Sequence, residues 1–322
     1  MYEQLLNLDN IRLNFSAGGM RIINIVLALV MFGVALGINP SEFKTVFVRP
    51  KSAIIGLVSQ WILLPAMTFL LILIFRNQIT PMVAMGMILV ASCPGGNISN
   101  FMSSLSKANT ELSISLTAIT TSAATLVTPF NFAFWGGLYT RFLSRYADAA
   151  LQPLHIDIWQ TLETVFILLG IPLVLGMLFV RFFPKIAEKM KKPFQYFSLL
   201  FFIAMVVLSF SNNFDLFLDY IFYIFIIVLI HNALALGIGY AAGSAFKLPV
   251  KDRRTLTIEV GIQNSGLGLV LLFNPKIFPP ELALGGMLFI TAWWGVWHII
   301  SGLSVSFAFR YADKRRRALI KE

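Results

Sequence analysis

Leu256-Thr257-Ile258-Glu259-Val260-Gly261-Ile262-Gln263-Asn264-Ser265-Gly266 sets a carboxylate, two amides and a hydroxyl inside an apolar stretch. A charge at membrane depth is costly, so Glu259 is expected to face a wet cavity or a compensating partner. Counted from Asp252, it lies roughly 10 Å in from the basic end of its span. No lysine or arginine lies deep in any apolar run. That argues against an ion pair and for a bound metal ion or proton.

The surroundings of this stretch fix the class. Of 322 residues, 57% are hydrophobic and 12% charged, and the mean hydropathy is +0.79. A soluble domain has no use for so much apolar surface. The chain reads as an all-α polytopic membrane protein. Apolar runs near 20–38, 53–75, 80–106, 110–138, 158–181, 194–212, 216–246, 252–274 and 282–309 reach the roughly 20 residues that cross a bilayer. That count predicts nine transmembrane helices in one integral unit, residues 1–322, with the polar stretch from Tyr139 to Asp157 as the longest connection. The polar leader, Met1 to Gly19, carries Glu3 and Asp9, and no small-residue cleavage pattern follows the first run, so no removable signal peptide is expected. The single cysteine, Cys93, excludes an intrachain disulfide.

A net charge of +10 invites a nucleic-acid reading, but the bases are sorted by side. Lys44, Arg49, Lys51, Lys107, Arg181, Lys185, Lys189, Lys191, Lys192, Lys247, Lys251, Arg253, Arg254 and the tail from Arg310 to Lys321 fall on one side, and Arg12, Arg21, Arg76, Arg141, Arg145 and Lys276 on the other. The positive-inside rule then puts the N-terminus outside and the C-terminus in the cytoplasm. The basic tail reads as an anchor against anionic headgroups, with no nucleic-acid partner.

A second polar stretch, Cys93-Pro94-Gly95-Gly96-Asn97-Ile98-Ser99-Asn100, mirrors the first. Pro94 has no N–H and clashes with the preceding turn, so the helix should open about 20 Å into its span. Unpaired backbone at that depth requires protein or a water-filled cavity around it. An isolated polar residue precedes each unit, Gln60 before one and His231 with Asn232 before the other, and an odd number of spans separates them. Paired, interrupted spans of opposite topology point to a secondary transporter built from inverted repeats. Ser113, Thr117, Thr121, Thr125 and Thr128 share one helical face, and the first of them are suited to coordinate a hard cation. Carbonyls, amide oxygens, hydroxyls and one carboxylate are the ligands sodium takes. His231 and His298 are too few for a transition-metal site, and no nucleotide loop or hydrolase pattern occurs, so no enzyme is expected.

From about Asn24 to Phe307 the chain resembles the bile acid:sodium symporter family, through Met31-Phe-Gly-Val-Ala-Leu-Gly-Ile-Asn-Pro40, the Cys93–Asn100 and Leu256–Gly266 motifs, and Trp297-His298. The resemblance implies an inverted-repeat core domain with two crossing discontinuous helices (about 53–138 and 216–309). A panel domain (about 20–38 and 158–212) packs beside it. It implies two sodium ions and no organic cofactor. Ser99, Asn100, Ser113, Thr117 and Glu259 would hold the first ion, and Gln60, Glu259, Val260, Ile262 and Gln263 the second. An organic anion, bile-acid-like or a small carboxylate, would meet Asn97, Asn264 and His298, carried by a monomer in the lipid bilayer through alternating access. The chain departs from some bacterial members in having nine rather than ten expected spans and Ile299 where they have asparagine. Proton-coupled exchange through Glu259 and a sodium-gated channel or sensor are the competing readings.

Overall fold

A computed structural model describes residues 1–11, 17–38, 46, 48, 50–146, 163–211, 214–274, 277–279 and 282–319. Among these residues the regular structure is helical: α1 (Tyr2–Asp9), α2 (Ala17–Leu36), α3 (Pro50–Val58), α4 (Leu64–Ile74), α5 (Pro81–Ser92), α6 (Ile98–Leu105) and α7 (Thr110–Tyr146), then α8 (Ile171–Phe182), α9 (Pro184–Ser211), α10 (Phe214–Ala245), α11 (Val250–Gly261), α12 (Ser265–Leu272) and α13 (Gly285–Leu319). Within the described residues, Pro50–Ile74, Thr110–Arg145, Leu218–Ala245 and Gly285–Arg316 are long and apolar enough to cross a membrane. Their outward faces carry exposed Ile54, Ile74, Phe130, Phe134, Phe222 and Phe307, which hydrocarbon solvates and water does not. The chain is a helical membrane protein.

The two polar stretches interrupt their helices as their residues dictate. Pro94 bars its predecessor from helical geometry, and Cys93 accordingly closes α5 in an extended conformation (φ −73, ψ 157). On the other side Ile262 leaves helical geometry (φ −118, ψ 90), and the Asn264 side chain starts α12 by accepting from the Leu267 N–H. The freed backbone groups then satisfy each other. Gly96 N–H donates to the Ile262 carbonyl and Asn264 N–H to the Pro94 carbonyl, both at 2.8 Å, closing an antiparallel bridge between Gly95 and Gln263. This is how non-helical backbone survives at membrane depth.

Several boundaries differ from the sequence reading, among them the 282–309 span, which continues to Leu319. The predicted 110–138 span continues to Tyr146, and the rest of the expected connection lies outside the described residues, as do 158–162 of the expected panel and Arg12, Lys44, Arg49, Lys276 and Lys321. The 194–212 span starts ten residues earlier, at Pro184, a favoured first helical position. Pro193 is tolerated inside this helix because the Lys189 turn it disrupts is exposed. The leader contains α1, whose Asp9 is buried at the start of α5 and accepts from Thr80 Oγ1 and Met82 N–H, each at 3.0 Å. Ile11 C=O accepts from Leu284 and Gly285 N–H, so α1 and its following turn hold the first turns of both α5 and α13. Burial pushes the Asp9 carboxyl up to about 7, against hydrogen bonds that pull it down.

Elsewhere α2 packs on α8 and α9, α10 on α11, and α5 on α13. Close approach explains one glycine: a Cβ on Gly239 of α10 would sit 2.3 Å from the Leu256 carbonyl oxygen of α11.

Candidate functional site

Glu259, near the end of α11, is fully buried. Ser99 and Ser113 each donate to its Oε1 at 2.5 Å, and Thr117 Oγ1 lies 3.2 Å from both carboxylate oxygens. Asn100 Oδ1 accepts from Ser113 at 3.0 Å and from Thr117 at 3.2 Å. Local structure explains the gathering: Ser113 and Thr117 are one turn apart on α7, and Ser99 and Asn100 open α6 immediately past the break. Ser113 meets two acceptors and Thr117 three, yet a hydroxyl gives one proton at a time. Six side-chain oxygens thus converge with three hydroxyl protons among them, a set suited to a hard cation with oxygen ligands. Among the described residues no three of His, Cys, Asp or Glu come together, so this group stands on neutral oxygens and one carboxylate.

A second group shares the glutamate. Gln60 sits in a π-helical turn, Ser59–Leu63, between α3 and α4. Pro65 has no N–H to give the Trp61 carbonyl, and Asn131 Nδ2 fills that role at 2.9 Å. Gln60 Oε1 accepts from Gly95 N–H at 3.2 Å, and its Nε2 reaches Glu259 Oε2 at 3.5 Å. Gln263 Nε2 donates to the Val260 carbonyl at 2.8 Å and lies 3.5 Å from that of Glu259, while its buried Oε1 meets no partner. Turning that amide over would aim Oε1 at the same carbonyls, an arrangement that a cation between them would stabilise. The Ile262 carbonyl already accepts from Gly96.

Asn97, Asn264 and His298 face a cavity of about 650 Å³ on the other side of the crossed breaks. Gln195 and Ser198 of α9 and Met31 and Val34 of α2 complete its wall, residues the sequence reading left unassigned. Among the described residues the lining carries no Asp, Glu, Lys or Arg. His298 Nδ1 is 2.8 Å from the Trp294 carbonyl, which can only accept, so Nδ1 bears the proton and Nε2 is the acceptor. Gly37 lines both this cavity and a second one, of about 460 Å³, among Arg181, Glu188 and Lys191. The large cavity thus leads toward the basic end of the molecule.

The remaining polar residues support the breaks. Asn232 Nδ2 donates to the Gly261 carbonyl at 2.7 Å, at the end of α11, and His231 Nε2 pairs with Thr68 Oγ1 at 2.8 Å. Cys93 is a buried free thiol. The sequence reading already marks Asn232, beside His231 in an apolar run; nothing in the sequence around Gln195 distinguishes it from an interfacial residue.

The description of the sodium bile acid symporter family matches residues 24–220. The chain belongs to that family. The matched stretch contains the first break, the α7 hydroxyls and Gln60, and ends before Glu259. Similarity to individual proteins runs further. The chain is 30% identical to the sodium-dependent transporter YocS of Bacillus subtilis (strain 168) over 92% of its own length and 85% of that protein. It is 30% identical to P3 protein of Homo sapiens over 71% of its length and 46% of that protein. It is 25% identical to the probable chloroplastic sodium/metabolite cotransporter BASS1 of Oryza sativa subsp. japonica over 76% and 56%. This member of the symporter family thus spans most of the Bacillus protein and about half of the human and rice ones.

Proposed function

We propose that the chain is a secondary transporter coupling inward movement of an organic monoanion to sodium, and not an enzyme. The observation that carries this reading is the convergence of six side-chain oxygens, one carboxylate among them, at the buried Glu259. Ser99, Asn100, Ser113, Thr117 and Glu259 hold one sodium ion; Gln60, Glu259, Val260, Ile262 and Gln263 hold a second. Asn97, Asn264 and His298 hold the substrate. The family relationship and the sodium-dependent relatives support the ion.

The architecture that goes with this is nine spans, N-terminus outside, in a bacterial inner membrane, acting as a monomer. The core, about 53–138 and 216–309, carries both breaks, and the panel, about 20–38 and 158–212, closes the cavity against it. Sodium orders the crossed breaks. The N-terminal N–H groups of α6 and α12 point positive partial charge at the cavity, and no described residue of the lining is acidic, which favours an anion there. The apolar wall accepts the body of the substrate. Opening toward the basic end releases substrate and ions together.

Glu259→Gln keeps the shape and removes the charge. In proteoliposomes it should abolish sodium-dependent concentrative uptake of organic anions, whereas retained sodium dependence would refute the assignment. Uptake driven by a proton gradient without sodium would establish proton coupling, and equilibration without accumulation a channel.

A further inference from the structure

The hydroxyl stripe of α7 extends beyond the Glu259 group, and its next member, Thr121, like Ser122 beside it, does not bond back to its own helix. Ser92, Ser115, Thr120 and Thr140 bond back to carbonyls three or four residues earlier, the usual fate of a helical hydroxyl. Thr121 is 7% exposed, and its Oγ1 has no protein partner. It lines a pocket with about 10 Å³ of space for the centre of a water-sized sphere, room for roughly one water or one small cation. Thr125 and Asn264 supply further polar groups, and Met31, Val34, Leu169 and Leu173 seal the pocket from α2 and α8 with its preceding turn.

Its position relates it to both parts of the site. Met31, Val34 and Asn264 line this pocket and the 650 Å³ cavity alike, so their side chains form the partition between the two. Thr121 stands one turn beyond Thr117, about 6 Å along the helix axis. Because α7 starts at the basic end, next to Lys107, Thr121 lies on the far side of the Glu259 group from that end. The pocket is too small for an organic anion, and its neutral oxygens, without a carboxylate, favour passage over storage.

We propose that this pocket is a transit station for sodium. An ion entering from the side closed in this structure is held by the Thr121 and Thr125 hydroxyls before it steps to Thr117 and Glu259, and Met31, Val34, Leu169 and Leu173 form the gate. The proposal rests on the sodium reading above and adds the route.

Rapid mixing of the purified protein with sodium chloride, against choline chloride at equal ionic strength and followed by tryptophan fluorescence, separates route from ligand. Thr121→Val should slow sodium association and dissociation alike by about tenfold and leave the half-saturating concentration unchanged. Thr121→Ser, which keeps the hydroxyl, should restore the wild-type rates. Thr117→Val should instead raise the half-saturating concentration. If Thr121→Val does not fold, Thr125→Val is read the same way. Unchanged rates would mean the pocket holds water only, and a shifted half-saturation, from one rate changing without the other, would make Thr121 an ordinary ligand; either overturns the proposal while the wild-type sodium response stands. A wild-type protein with no sodium response would overturn the sodium reading and the route together.

Discussion

Two adjacent glycines give a test in which the chemical change is identical and the surroundings differ. A Cβ on Gly95 would lie 2.8 Å from Glu259 Oε2 and 3.4 Å from the Gln60 amide atoms. A Cβ on Gly96 would come no closer than 3.4 Å to anything, its nearest neighbour being the Gln263 carbonyl oxygen. Neither glycine has a positive φ, so alanine brings no backbone strain at either site. In Gly95→Ala the carboxylate must retreat, and it is tethered: Oε2 faces Gln60 and Thr117, and Oε1 takes Ser99 and Ser113. Overpacking of this kind costs about 1–3 kcal/mol. Charged to sodium binding, that is a rise of roughly 5- to 150-fold in the half-saturating concentration. Gly96→Ala should stay within about threefold of wild type for sodium, a limit of under about 0.7 kcal/mol. Since Gly96 also lines the cavity, its methyl should weaken substrate instead. The assay is the thermal midpoint of purified protein titrated with sodium chloride against choline chloride. Equal sodium responses in wild type and Gly95→Ala, or equal losses in both variants, would refute the claim that Gly95 is small to make room for the Glu259 carboxylate.

Three further outcomes follow from other parts of the molecule. The folded-state value of Asp9, about 7, lies above the ordinary 3.8, so its contribution to stability is complete below about pH 4 and is lost as pH rises through 7. At about 1.4 kcal/mol per decade, that is roughly 4 kcal/mol at most; thermal midpoints measured at pH 5 and pH 8 should differ in wild type and much less in Asp9→Asn. Asp9→Ala should instead be less stable at both pH values, by about 1–3 kcal/mol, because the Met82 N–H loses its acceptor. Lys247 ends α10 with φ 52, a conformation costing an ordinary residue roughly 1–2 kcal/mol, so Lys247→Gly should raise the thermal midpoint once the greater chain entropy of glycine, about 0.5–1 kcal/mol, is subtracted.

The parts of this molecule that could be read in advance are those set by backbone chemistry within a few residues. Pro94 and the glycines after it locate the first break, the polar run from Glu259 to Ser265 locates the second, and four-residue spacing puts Ser113 and Thr117 on one face. What escaped is decided by partners distant in sequence. Helix α1 has eight residues, too few to be stable alone, and its meaning comes from Asp9 reaching Thr80 and Met82 more than 70 residues away. Asn131 reads as a plain polar residue on a long helix until the missing N–H of Pro65 leaves Trp61 needing a donor. Four-residue spacing sets Thr121, and not Thr120, on the face of Ser113 and Thr117, but gives no sign that its hydroxyl meets a pocket. Only the fold turns one hydroxyl back to its own helix and the other toward a pocket.

The bridge between the breaks bears on how an ion could govern an anion it does not touch. Gly96 N–H to Ile262 and Asn264 N–H to Pro94 tie the two interruptions together. The residues flanking the bridge serve both groups: the Gly95 N–H meets Gln60 beside Glu259, while Asn97, Gln263 and Asn264 line the cavity. In the proposed scheme, ions on one side therefore fix the backbone that presents N–H groups on the other, without either ligand having to move a domain by itself. Coupling of this kind is a differential affinity and must be reciprocal. A substrate that binds more tightly in sodium must tighten sodium binding by the same factor, and an unequal pair of factors in equilibrium titrations would remove the bridge from the account of coupling.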